Sequence, residues 1–97
     1  MPNAILWNKE NRERYGEEIT IRQNIVKKLE RLYDLEKEIK YYYYKDKYTL
    51  MGSRLLEFKK HLLCMIELME KKKRFQTEFK KEVKDYAKKY EIFKNLK

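Results

Sequence analysis

"KDKYTLMGSR", residues 45–54, is the stretch on which the fold depends. It gathers Asp46, Gly52 and Ser53 in a chain otherwise poor in turn residues, since only Gly16, Gly52 and Pro2 punctuate its 97 positions. Gly52 would supply a backbone conformation closed to other residues, and Ser53 would cap whatever follows. We therefore expect two helical stretches joined near Gly52. The competing reading is a helix that runs straight through the glycine at a cost of about 1 kcal/mol.

Upstream, Ile25, Leu29, Leu32, Ile39 and Tyr43 recur at helical spacing, with Glu36 in the slot between Leu32 and Ile39. Val26, Tyr33, Leu35 and Tyr42 widen the stripe, which suits a core-facing helix better than a narrow coiled-coil seam. Glu17 and Glu18 fit its positive N-terminal end and Lys45 its last turn. The spacing predicts a first helix over 17–45. Before it, residues 1–16 read as a short N-terminal element closed by Gly16, with Ile5, Leu6 and Trp7 docked on the body because Trp is costly to leave in water.

Downstream, Met51, Leu55, Phe58, Leu62, Met65 and Met69 form a second stripe, widened by Leu56, Leu63, Ile66 and Leu68. This helix is expected at the centre of the core. The rhythm continues in phase through Lys72 and Gln76 to Phe79, Val83, Tyr86, Tyr90 and Phe93. With neither Gly nor Pro after Gly52, the unbroken phase favours one long or gently kinked helix over 53–97, about 67 Å at 1.5 Å per residue. The alternative is a bend near "EKKKRFQTE", residues 70–78, with Thr77 capping a third helix. The fold class expected is all-α: an antiparallel helical hairpin or three-helix bundle with a long C-terminal helix and coiled-coil-like packing, in one domain spanning 1–97. So few turn residues exclude an all-β fold.

Composition bounds function less tightly. Apolar residues make up 42% and charged residues 42%, so the core is thin and self-association would thicken it. The lone Cys64 cannot close an intramolecular disulfide and points to a reducing, cytoplasmic setting, the host cytoplasm if the chain is viral. We expect no signal peptide or membrane span, because the run "LLCMI" falls far short of the roughly 20 apolar residues required. Lys/Glu richness fits a hyperthermophile source, and an AT-rich genome would give the same bias. Of the net charge of +9, residues 70–97 supply most, with eleven basic and five acidic side chains.

Four candidate sites follow. Tyr41, Tyr42, Tyr43 and Tyr44 point around most of a helix, more than a monomeric hairpin can bury, and tyrosine suits interfaces. We read them, with Phe79, Val83, Tyr86, Tyr90 and Phe93, as the surface where two chains combine into a homodimer. Ordinary packing ranks second and base stacking third. Lys71, Lys72, Lys73, Arg74, Lys80, Lys81, Lys84 and Lys88 form the alternative, a phosphate-binding segment of nucleic-acid type. Against it stand Glu78–Lys81 and Asp85–Lys88, which can pair along the helix and leave a merely solvated face. His61, Cys64 and Glu57 have helical spacing for metal ligands, but one His and one Cys make an ordinary core thiol beside a rim imidazole the better reading, so no metal or other cofactor is expected. Glu36 and Lys72 could serve catalysis in a short bundle, yet a register-setting polar pair explains them better. No nucleophile motif or glycine-rich phosphate loop is present. The leading functional expectation is a non-enzymatic helical protein acting through self-association or contact with another protein. Small size and composition suggest an accessory or regulatory factor of viral or plasmid type. Neither a membrane nor a small-molecule substrate is expected as partner.

Overall fold

The computed structural model describes the backbone of residues 9–96 and the side chains of residues 16–96. Among them are four helices and no strand: α1 Lys9–Tyr44, α2 Tyr48–Glu70, α3 Lys73–Glu78 and α4 Lys80–Lys94. The class is all-α, as the spacing of apolar residues requires. α1 and α2 form an antiparallel hairpin, and α4 folds back along α2 with a thinner contact to α1. The described part is an elongated bundle of 64 × 19 × 15 Å.

α1 begins before the expected boundary at Glu17, since Gly16 lies inside it. One isolated glycine weakens a helix without ending it, and the Thr20 hydroxyl donates back to the Gly16 carbonyl at 2.9 Å. Residues 9–16 of the expected N-terminal element therefore belong to α1. The docking of Ile5, Leu6 and Trp7 falls outside the described residues.

The turn forms within 45–54, but not at Gly52. Asp46 takes the left-handed conformation with φ 57°, a state that Asp tolerates better than most side chains. The Lys47 amide donates to the Tyr42 carbonyl at 2.8 Å and the Asp46 amide to Tyr43 at 3.1 Å. These two bonds are the Schellman closure of a helix C-terminus, with Asp46 where glycine commonly stands. Lys47 then opens α2, its carbonyl accepting from the Met51 amide at 3.0 Å. Gly52 and Ser53 are thus inside α2, and neither makes the turn or caps the helix.

The expected long C-terminal helix is broken twice. α2 closes on tight bonds from the Lys71 and Lys72 amides to Leu68 and Met69, both 3.3 Å. Lys72 is extended (φ −138°, ψ 125°), and Phe79 (φ −106°, ψ 12°) separates α3 from α4. Lys72 and Phe79, rather than Thr77, occupy the N-cap positions. The breaks bury Phe75, Phe79 and Phe93. Burying each such side chain is worth about 1.5–3 kcal/mol, whereas each backbone hydrogen bond forfeited at a break costs a net ~0.5–1.5 kcal/mol. Folding back wins.

The core runs along one seam: Ile21, Ile25, Leu32, Leu35 and Ile39 from α1, then Met51, Phe58, Leu62, Met65 and Met69 from α2. Phe58 is its aromatic hub. Its ring lies 5.9 Å from Tyr86, 6.3 Å from Tyr90 in a stack, and 5.9 Å from Phe93. Tyr42 rather than Tyr43 ends the α1 stripe, because the seam passes through Leu35 and Glu36 on its way to Ile39.

Candidate functional site

The residues assigned to an interface separate into two groups. Phe79 and Phe93 are buried within the chain, and Val83, Tyr86 and Tyr90 pack half-buried against its core. This chain's own α2 thus covers Phe79 and Phe93 and part of Val83, Tyr86 and Tyr90. Of the four consecutive tyrosines, Tyr42 packs inward beneath the Arg54 guanidinium, 5.9 Å from its ring. Tyr43 stays at the surface, and Tyr41 and Tyr44 are 54% and 80% exposed. Lys45 lies over both of the latter rings, at 5.9 and 5.5 Å. The fold adds Tyr48, 51% exposed and 6.3 Å from Tyr43, and the exposed Leu50. The turn end of the bundle thus presents a run of aromatic and aliphatic surface.

Beside that surface a cleft of about 410 Å³ opens between the first turns of α2 and the end of α4. Its walls are overwhelmingly apolar. Nothing in the sequence announced it, because it needs α4 folded back against α2.

The basic segment also divides. Lys72 and Arg74 both reach Glu18 on α1, at 3.8 and 3.3 Å. Lys71 and Lys73 are exposed at the α2–α3 corner. Glu78 turns to Arg22 of α1 instead of pairing with Lys81. Lys80, Lys81, Lys84 and Lys88 therefore stand exposed along α4, sharing a shallow groove with Thr77 and Asp85. The tyrosines lie beyond Phe93 at the other end, so stacking rings and phosphate-binding lysines do not form one groove.

Glu36 is buried, with 7% of its surface exposed. It accepts from Lys89 of α4 at 2.9 Å and from Lys40 at 3.2 Å. Burial pushes its carboxyl up, but the two ammonium groups overcome this and the net shift is downward. The same contact raises Lys89, whose ammonium also lies 4.9 Å from the Tyr86 ring. The polar residue in the stripe is paired, but its partner from the C-terminal segment is Lys89 and not Lys72. An i,i+4 or stripe pattern could not find a partner 53 positions away.

A second charged group bridges α1 and α2. Arg31 donates to Glu57 at 2.9 Å, and Nε2 of His61 lies 3.5 Å from the same carboxylate. Burial lowers His61 below its ordinary value, and Lys28 adds to this. Burial pushes the Glu57 carboxyl up, but Arg31 and His61 together overcome this and the net shift is downward. A carboxylate already held by an arginine, facing an imidazole beside Lys28, is a poor home for a metal cation. Cys64 borders a different hollow, with Asn24, Lys28 and Lys71. Among the described residues no group of three His, Cys, Asp or Glu side chains could hold a metal ion, and no helix is long and apolar enough to cross a membrane. No family model, curated protein or solved structure matches the chain.

Proposed function

We propose that the chain is a non-enzymatic helical binding protein that works by protein–protein contact at its turn end. One observation carries this reading: Tyr41, Tyr43, Tyr44, Tyr48 and Leu50 remain exposed together at one end, while Phe58, Phe75, Phe79 and Phe93 are buried. Amphipathic rings concentrated at one place are the chemistry of an interface core. The partner is a second copy or another protein, and a cytoplasmic setting rests on the unpaired Cys64. The test is a photoreactive residue placed at position 44 and, separately, at position 84, in cells expressing the chain. Discrete protein adducts from position 44 are expected. Adducts from position 84 alone, containing nucleic acid, would overturn the reading.

A second reading has its own support. Lys80, Lys81, Lys84 and Lys88 have no acidic partner within salt-bridge distance among the described residues, which suits binding to a phosphate backbone without base selectivity. Retention on DNA or RNA that falls steeply between low and moderate salt, and that is lost in Lys81→Glu/Lys84→Glu/Lys88→Glu, would establish it. Unchanged mobility with nucleic acid at low salt would remove it.

A further inference from the structure

The cleft at the turn end lies between Tyr48, Met51, Gly52 and Leu55 on α2 and Phe93 and Leu96 at the end of α4, with Lys94 on its rim. Gly52 is the informative residue. It lies inside a helix, its φ is not positive, and a Cβ built on it would meet nothing within 4 Å. Glycine there serves neither a turn nor a close backbone approach, and it weakens the helix relative to alanine. Its structural consequence is an open cleft floor. A volume of about 410 Å³ lies within the range of roughly 300–1,000 Å³ typical of ligand sites.

The surroundings bear on the occupant. The cleft is continuous through Tyr48 with Tyr43, so a ligand seated in it also meets aromatic surface outside. That favours an extended partner over a small molecule. Lys94 stands at the rim, and Lys45 and Lys47 belong to the adjoining turn. Of the nearby acids, Asp46 accepts from the Tyr48 hydroxyl at 2.9 Å and Glu91 lies 4.0 Å from Lys94. With a net charge of +9, two copies of this chain repel one another on approach, whereas an acidic partner is drawn in.

We infer that the cleft is a docking site for an acidic amphipathic helix of another protein, one large apolar side chain filling the space above Gly52 and carboxylates facing Lys94 and the turn lysines. This rests on the protein-contact reading and names its partner class. A Cβ at position 52 meets nothing within 4 Å, so Gly52→Leu is the substitution that directs a large side chain into the cleft.

The probe is a short fluorescent amphipathic peptide with leucine and phenylalanine on one face and glutamate elsewhere, set beside a matched peptide carrying lysine in place of glutamate. Binding is read by anisotropy, and circular dichroism confirms the folded state of each variant. The expected result is saturable binding of the acidic peptide, weaker by about tenfold or more in Gly52→Leu, the loss that follows when one large side chain is no longer buried. The lysine peptide should bind no more tightly than that variant does. Equal binding of the acidic peptide to wild type and Gly52→Leu would overturn the inference, because attraction of charge alone would explain it. A wild-type dimer that Gly52→Leu converts to monomer would also overturn it, by making a second copy the occupant, while the protein-contact reading survives. No peptide binding together with no protein adduct from position 44 would end both.

Discussion

At the scale of single residues, Glu36 and Lys89 hold α4 to α1 and do so unequally. The carboxylate is buried, while Lys89 keeps 39% of its side chain in solvent. Lys89→Ala leaves a buried charge with Lys40 as its remaining partner, so it should cost about 1.5–3 kcal/mol, the range for a hydrogen bond to a charged group. Glu36→Gln frees a lysine that can still reach water and should cost less. Urea denaturation of both variants checks the order, and equal costs would show that Glu36 is better hydrated than its burial implies. The pH dependence has a definite sign. Glu36 titrates lower in the folded chain than in the unfolded one, so its contribution is present above the ordinary carboxylate value and lost as pH falls through the folded value. His61 is also lowered, so the unfolded chain takes up its proton first and stability begins to decline as pH drops through the ordinary histidine value of 6.5. Glu36→Gln should flatten the acid limb and leave the histidine limb in place. Asp46 allows a simpler check at the same scale. Replacing it by glycine relieves a left-handed residue, and replacing it by valine puts a β-branched side chain there. Asp46→Gly should be neutral or stabilising, and Asp46→Val should destabilise by about 1–2 kcal/mol in thermal denaturation.

At the scale of elements, the hairpin is legible in the sequence, whereas the C-terminal break is legible only as the alternative to one long helix. Both stripes of the hairpin bury one face at 3–4 spacing, and a long apolar seam has no other stable arrangement in water. The turn lies within the expected ten residues but at Asp46 instead of Gly52, because aspartate tolerates the left-handed conformation. The break at Lys71–Lys72 falls within 70–78, where the polar stripe positions Lys72 and Gln76 offer a bend as the alternative reading, but no turn residue marks it. Its backbone conformations, helical and then extended, are open to every residue, so neither Gly nor Pro is required. The 3–4 phase continues across it because α2 and α4 each bury a stripe of their own. Phe75, almost fully buried yet off that phase, was the residue that contradicted a continuous helix. Lys72 lies in the extended conformation typical of an N-cap and makes no capping hydrogen bond. Lys72→Thr should therefore raise stability by about 0.5–1 kcal/mol, less whatever the exposed contact to Glu18 contributes. A lower melting temperature than wild type would show that α3 starts elsewhere.

At the scale of the whole molecule, the account rests on a chain that shields its own seam. Net charge and aromatic content were legible as quantities, but their distribution followed from topology. Folding α4 back buries Phe79 and Phe93, half-buries Tyr86 and Tyr90, and leaves Tyr41, Tyr44, Tyr48 and Leu50 exposed together at the turn end. It also places Glu78 against Arg22, and Lys80, Lys81, Lys84 and Lys88 of α4 face solvent without the pairing that their spacing suggested. Glu36, Lys89 and the cleft beside Gly52 all depend on that same return of the chain. The most direct test is a pulsed spin–spin distance between labels at Ser53 and Asn95, both exposed, in a Cys64→Ser background. Packed helices lie about 8–10 Å apart, so with flexible labels the distance should fall below about 25 Å and persist when labelled chain is diluted into excess unlabelled chain. A distance near 63 Å, about 1.5 Å for each residue of a continuous helix, or a short distance that vanishes on dilution, would contradict it.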